Sequence, residues 1–307
     1  MWLSNPIVDP LFWSFLKVAG SALGVALVIL LVLEWRHLRE LHRRELFRRL
    51  FTWACIALLY SATILSGRIP VLLLTCLMIF QGLREYATLV GLPRIYRWVL
   101  IGMGVLAPPA AFHSPLAFYV LPALLLLVAT LQPLLIRDSK GGVRHLAFAV
   151  FGWSYVAWLL GHIMLIYLYV PQGSGLLLAL VGAVALSDVA AFAIGKPLGR
   201  HKLAPRLSPN KTWEGMVGNF LGAYLGMGIM YVALRLDLPG YLLWTFPAVI
   251  AAGALWGDLL ESAIKREFEV KDAGQWLPGF GGLLDRIDSL LLVLPLAFYT
   301  LSLTRLL

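Results

Sequence analysis

Charge is scarce in this sequence: Asp, Glu, Lys and Arg make up 13% of its 307 positions, against 60% hydrophobic residues. Soluble domains carry about 25% charged residues and an apolar share of about half. A water-soluble globular enzyme is therefore excluded, and the chain reads as one that lives in lipid. Cysteine is nearly absent. The two present, Cys55 and Cys76, sit inside apolar runs where a thiol behaves as a small buried hydrophobe, so neither a disulfide framework nor a cysteine-rich metal site follows. There is no fixed-period repeat, low-complexity tract or long polar linker, which argues for one membrane domain rather than a string of soluble modules. The opening residues also lack the basic cluster of a secretory signal, while the apolar run that follows is long enough to span, so a retained anchor is expected.

What the chain has instead is a succession of apolar runs. A hydrocarbon core about 30 Å thick needs roughly 20 apolar residues per helix. Ten segments approach this: 13–33, 51–66, 70–90, 97–112, 116–136, 146–170, 175–194, 213–235, 241–264 and 289–306. The second and fourth are short, so the expected fold is all-α, a polytopic transmembrane helical bundle of nine to ten spans. With ten spans, the loops 35–50, 84–97, 137–145, 195–212 and 265–288 share one side and hold 21 of the 25 Lys and Arg residues. The excess of basic residues places that side in the cytoplasm and both termini opposite. The net charge of +9 is thus spread over loops, which favours lipid headgroups and nucleotide phosphates as anionic partners and gives no nucleic-acid surface. The basic amphipathic run 34–49 is expected to set topology along anionic lipid. Gly218, Gly222 and Gly226 recur every four residues, a pattern that lets a neighbouring helix approach closely.

Polar residues gather in three places where a purely structural membrane protein would avoid them. Asp188 lies within the seventh span and needs a partner, which a lysine, a helix terminus or a metal would each supply. The loop Gly195 to Lys211 carries Lys196, Arg200, Lys202, Arg206 and Lys211 among glycines and prolines, then enters a helix at Thr212-Trp213-Glu214. Asn210 or Thr212 can cap that helix, whose free N–H groups and positive dipole end suit phosphate. It is no nucleotide P-loop, since Pro197 follows Gly195-Lys196 where Ser or Thr is required.

The third place, Gly257 to Ser289, mixes seven acidic residues with Lys265, Arg266, Lys271 and Arg286. Asp258, Glu261, Ser262 and Lys265 stand at i, i+3, i+4 and i+7, one polar stripe on a helix. Asp285 and Asp288 are also three apart, so two carboxylates share a face at the start of the last helix and repel unless a cation joins them. With no His or Cys in the stretch, oxygen ligands of this kind suit Mg²⁺ rather than zinc. The glycine-rich turn between the two helices can bring exposed amides close to a phosphate.

These residues resemble a known family. Ser262-x-x-Lys265-Arg266, Lys271-Asp272, Pro278-Gly279-x-Gly281-Gly282 and Asp285-Arg286-x-Asp288 together look like the C-terminal signature of the phosphatidate cytidylyltransferases. Ser187-Asp188, His201-Lys202-Leu203-Ala204-Pro205 and Ser208-Pro209-x-Lys211-Thr212-x-Glu214-Gly215 are similar to its upstream motifs, in order. The resemblance implies transfer of CMP from CTP to phosphatidic acid, giving CDP-diacylglycerol and pyrophosphate, with Mg²⁺ required and room for a second cation. It implies Asp258, Asp285 and Asp288 as metal ligands, with Asp188 a further candidate. Lys265, Ser262, Asp285 and Asp288 are the implied catalytic residues. Ser208, Lys211, Thr212, Glu214, Lys202, Arg266, Lys271, Asp272, Gly281, Gly282 and Arg286 are expected to contact substrate. Residues 1–180 are then a membrane scaffold and 181–307 the catalytic region. The partners are CTP, phosphatidic acid and membrane lipids, with a homodimer allowed by the small-residue helix faces. The setting is a bacterial plasma membrane with the site facing the cytoplasm. A transporter, a CTP-dependent lipid kinase and a silent paralogue are the competing readings.

One position departs from the pattern: Phe280 stands where the family has His in its glycine turn. Phe can neither ligate nor hydrogen-bond, so a charge-assisted bond of about 1.5–3 kcal/mol is lost if that His serves a phosphate. Phe280→His is expected to raise the rate of CMP transfer about tenfold or more, read as labelled lipid formed from CTP by wild type and variant side by side.

Overall fold

Hydrocarbon offers no water to bond a backbone amide, so each apolar run has to satisfy its own N–H and C=O groups as helix. The computed structural model, which describes residues 2–33, 45–135, 141–274, 276 and 281–303, shows this. A 3₁₀ turn at Pro6–Val8 leads into α1 (Pro10–Leu33), followed by α2 (Glu45–Leu65) and α3 (Arg68–Leu89). The fourth crossing is two helices, α4 (Arg94–Val105) and α5 (Ala107–His113), and the fifth is α6 (Pro115–Leu135). The sixth crossing runs through α7 (Gly142–Gly152), a π-helical turn (Trp153–Trp158) and α8 (Leu159–Tyr169). Then come α9 (Gly173–Leu198), α10 (Trp213–Ala233), α11 (Leu242–Glu267) and α12 (Leu284–Leu303). The chain is an all-α polytopic bundle.

Among the described residues nine helical stretches are long and apolar enough to cross a membrane, and α2 falls short because its apolar part is only Leu50–Leu65. Its path nevertheless follows from its contacts. Ser4 N–H donates to the Ser66 carbonyl, so the start of α1 meets the end of α2 and the two run antiparallel. Asp237 N–H donates to Gln172 at 2.8 Å, which places the α8–α9 and α10–α11 turns together. The expected alternation of ten crossings is consistent with these pairings. The basic run 34–49 lies mostly outside the described residues, as does Phe280; only its last part opens α2.

Two boundaries differ from expectation. The seventh crossing does not end at Ile194: α9 continues through Gly195-Lys196-Pro197 to Leu198, stopping one residue after the proline, which has no N–H to give the ladder. The loop beyond it is not irregular but an antiparallel hairpin of β1 (Lys202–Ala204) and β2 (Ser208–Thr212), pairing Lys202 with Thr212 and Ala204 with Ser208. The last helix begins at Leu284, ahead of its apolar run from 289, and carries Asp285 and Asp288 in its first turns as expected.

Small residues set the helix spacing. A Cβ on Gly222 would lie 2.5 Å from the Leu186 carbonyl oxygen and 2.7 Å from the Ala190 Cβ, and one on Gly226 would lie 2.8 Å from the Ala183 Cα. Thus α10 packs backbone to backbone on α9, as its four-residue glycine period led us to expect. Gly257 does the same for α11 and α12, where a Cβ would fall 2.3 Å from the Asp288 carbonyl oxygen. Gly222→Leu is expected to cost about 2–3 kcal/mol or more through overpacking. Gly228→Leu, at a position open to 4 Å in all directions, should cost nothing by the same thermal unfolding measurement in detergent.

Candidate active site

The first amides of α12 need acceptors, as at every helix N-terminus. They find one far away in sequence: the carboxylate of Glu85, near the end of α3, accepts from Leu283 N–H at 3.0 Å and Leu284 N–H at 2.9 Å. Gln81, one turn earlier, donates to the same carboxylate at 2.7 Å, and both side chains are buried. The loop reaches Glu85 only because its residues are glycines. A Cβ on Gly282 would lie 2.6 Å from the Glu85 Oε2, and one on Gly274 would lie 2.9 Å from its carboxyl carbon.

Asp285 ties the same segment down from within. Its Oδ2 accepts from Ala273 N–H at 2.9 Å and Gly282 N–H at 2.8 Å, while Oδ1 accepts from the Lys265 ammonium at 2.9 Å. Gly281, with φ +83°, lets the chain turn over that carboxylate. Lys265 is shared with Glu261, one turn back on α11, and both acidic side chains are only 3% exposed. A partly buried lysine thus bridges two buried carboxylates from adjacent helices.

The outer part of the α11 stripe points toward the hairpin. Lys211 pairs with Asp258 at 2.7 Å, and Ser262 donates to the other Asp258 oxygen at 3.4 Å. Thr212 caps α10, its hydroxyl accepting from Gly215 N–H at 3.0 Å. Glu214 turns back to His201, accepting from its ring at 2.8 Å and from its amide, so it fastens the hairpin to the helix. Arg266 donates to the Leu207 carbonyl at 3.3 Å and holds the hairpin tip against α11. Asp288 accepts from the next amide, Ser289 N–H, at 2.7 Å. Asp188 on α9 interacts electrostatically with Asp258, Asp288, Lys211 and Arg286, so α9, α10, α11 and α12 converge.

The sequence-derived residues therefore fall into groups. Asp188, Lys211, Asp258, Ser262, Lys265, Asp285, Arg286 and Asp288 come together at one end of the bundle. Thr212, Glu214 and Arg266 build the hairpin beside them, Gly281 and Gly282 line the approach to Asp285, and Ser208 lies within β2. Lys202, Lys271 and Asp272 are exposed. Mg²⁺ commonly takes one or two carboxylates and completes its shell with water and substrate phosphates. Asp258 and Asp288, brought close by Gly257, offer such hard oxygens. Asp285, expected among the ligands, has both oxygens engaged by nitrogen donors in this arrangement and serves to fix the loop. Among the described residues no three His, Cys, Asp or Glu side chains form a cage, so a metal here would share its shell with substrate oxygens.

Glu85 and Gln81 escaped the sequence reading because they lie in the part assigned to scaffold. Their signal was there: two polar residues four apart at the end of an apolar run occupy one helix face.

The chain matches the profile of the Cytidylyltransferase family over residues 47–304. It is 35% identical to the uncharacterized protein YnbB of Escherichia coli (strain K12) over 296 residues, which is 91% of this chain and 94% of that protein. It is 29% identical to the phosphatidate cytidylyltransferase of Bacillus subtilis (strain 168), over 84% of this chain and 98% of that protein. The phosphatidate cytidylyltransferase of Staphylococcus saprophyticus is 39% identical over 152 residues, 49% of this chain and 56% of that one.

Glu85→Ala removes the acceptor of two α12 amides and strands Gln81, and is expected to lower stability by about 2 kcal/mol or more. Limited proteolysis should at the same time open the segment between α11 and α12, whereas Arg84→Ala, on the exposed side of the same turn, leaves both unchanged.

Proposed function

We propose, for a chain that belongs to the cytidylyltransferase family, that it transfers CMP from CTP to phosphatidic acid and releases pyrophosphate, forming CDP-diacylglycerol for phospholipid synthesis. A phosphate oxygen of phosphatidic acid bonds to the α-phosphorus of CTP as the bond to the β-phosphate oxygen breaks. That nucleophile is already ionised at neutral pH and needs no general base, so the protein's task is in-line positioning and charge neutralisation.

The observation that carries this reading is the convergence of Lys211, Asp258, Ser262, Lys265 and Asp285 from β2, α11 and α12, with Lys211 paired to Asp258 and Lys265 to Asp285. In this arrangement each lysine is held by a carboxylate. An incoming polyphosphate is a stronger acceptor for Lys211 than a half-exposed ion pair, whose net worth is small. Lys211 would pass from Asp258 to the phosphates and leave both Asp258 oxygens turned to the site. Mg²⁺, when bound by Asp258 and Asp288 with Asp188 nearby, would supply charge neutralisation on the leaving pyrophosphate. Lys265, anchored by Glu261 and Asp285, holds the α11–α12 geometry and adds positive charge; Arg286 adds more beside Asp188. The hairpin, with Lys202 and Ser208, and the exposed Lys271-Asp272 segment would flank the nucleotide.

The basic loops favour a cytoplasmic site in a bacterial plasma membrane. Residues 1–180 serve as scaffold and lipid access and 181–307 carry the chemistry, with Glu85 as the scaffold's contribution to the site.

Purified protein given phosphatidic acid, Mg²⁺ and CTP labelled at the α-phosphate is expected to yield labelled lipid, and label at the γ-phosphate should stay in water. Label moving from the γ-position instead would mark a lipid kinase, and no labelled lipid at all would end the enzyme reading. Asp258→Asn should lower turnover at least about 100-fold while the unfolding temperature stays near wild type.

A further inference from the structure

The sixth crossing contains a π-helical turn at Trp153–Trp158. Such turns are rare, insert a residue into the helical ladder and occur frequently at functional sites. Within it, Tyr155 is 4% exposed, and its ring stacks on Phe151 at 5.8 Å between centroids. Its hydroxyl has no hydrogen-bond partner among the described residues. A buried hydroxyl normally finds one, because leaving it dry is unfavourable. The groups that act on this hydroxyl electrostatically are Glu261, Asp288, Asp258 and Asp285, all from the site at the α11–α12 junction. Glu261 shows the same feature: one carboxylate oxygen meets Lys265, and the other is buried without a hydrogen-bond partner among the described residues. The π-helical turn and the start of α12 pack on the same face of α3, since a Cβ on Gly82 would lie 2.9 Å from Val156 Cγ1 and 3.3 Å from Leu284 Cδ2, so the two orphaned polar groups lie on neighbouring elements of one region.

We propose that the Tyr155 hydroxyl is a substrate contact, donating a hydrogen bond to a phosphate oxygen of the molecule bound against this cluster. The inference rests on the phosphoryl-transfer reading above and extends the site to a crossing outside the C-terminal signature. A phenol suits this place because it donates without bringing charge, so it leaves the carboxylates free for a cation while still meeting a phosphate.

Tyr155→Phe keeps the ring and its stacking on Phe151 and deletes only the hydroxyl. Without substrate, the variant is expected to unfold at the same temperature as wild type or slightly higher, since an unpartnered polar atom is gone. The stabilisation of the protein by CTP, pyrophosphate or phosphatidic acid in micelles, each with Mg²⁺, is expected to shrink in the variant. The ratio kcat/KM should fall by about 10- to 100-fold, the effect of one hydrogen bond to a charged group. A smaller shift with CTP and pyrophosphate assigns the bond to the nucleotide, and one confined to phosphatidic acid assigns it to the lipid. A variant several degrees less stable without substrate would show that the hydroxyl has a partner in the resting fold, and would overturn the inference. So would ligand shifts and turnover equal to wild type, or a wild type that none of the three ligands stabilises. A wild type that makes no CDP-diacylglycerol yet shows a Tyr155-dependent shift would sink the reaction and leave the contact standing.

Discussion

The Lys265 ammonium, shared between Glu261 and Asp285, is the interaction on which the site end of the bundle depends. Both carboxylates are almost completely shielded from water, and a buried charge with no partner is costly enough that removing one member of such a set usually destabilises strongly. The lysine therefore cannot leave without consequence, and neither can the helix ends that carry its partners. Through Asp285 the same ammonium is coupled to the amides of Ala273 and Gly282, and through those amides to the segment joining α11 and α12. Glu85 closes this arrangement from α3 by accepting the next two amides. Side chains on α3, α11 and α12 thus share one electrostatic knot.

The knot also explains why the polar residues divide into two kinds. Glu85, Gln81 and Asp285 face inward, their polar atoms engaged by the protein, and Glu261 is buried beside them on Lys265. Asp258 and Lys211 stand further out, joined by a partly exposed ion pair, with Asp188 and Asp288 within electrostatic reach. The inner groups hold the geometry of the loop and helix ends. Close helix approach makes this possible, because Gly257 brings the backbones of α11 and α12 together at Asp288, and the α10 glycines seat that helix on α9. A cytidylyltransferase that must hold two anionic substrates at a membrane face needs this division between a rigid frame and exchangeable charges.

The hairpin shows where local pattern falls short. Its residues read as a basic, proline-containing loop, and nothing in hydropathy or spacing marks Lys202 and Thr212 as partners in a strand ladder. The pairing depends on Glu214 holding His201 and on Arg266 catching the Leu207 carbonyl, contacts between segments up to 59 residues apart. The π-helical turn is equally silent in sequence, since Trp153 to Trp158 reads as ordinary apolar helix.

The sequence by itself determined the membrane habit, the number of crossings to within one, the backbone contact of α9 with α10 and the carboxylate stripe. All of these follow from properties that act over one or two helical turns: transfer into hydrocarbon, a repeat of about 3.6 residues and the small size of glycine. Only the tertiary structure decided what each carboxylate does. Asp285 and Asp258 look equivalent as acids near helix ends, yet one is engaged by two backbone amides and Lys265 while the other meets only the side chains of Lys211 and Ser262. Glu85 looks like part of a basic loop until α12 arrives to be capped. The physical reason is that a carboxylate's role depends on which donors reach it, and in this fold those donors come from helices distant in sequence.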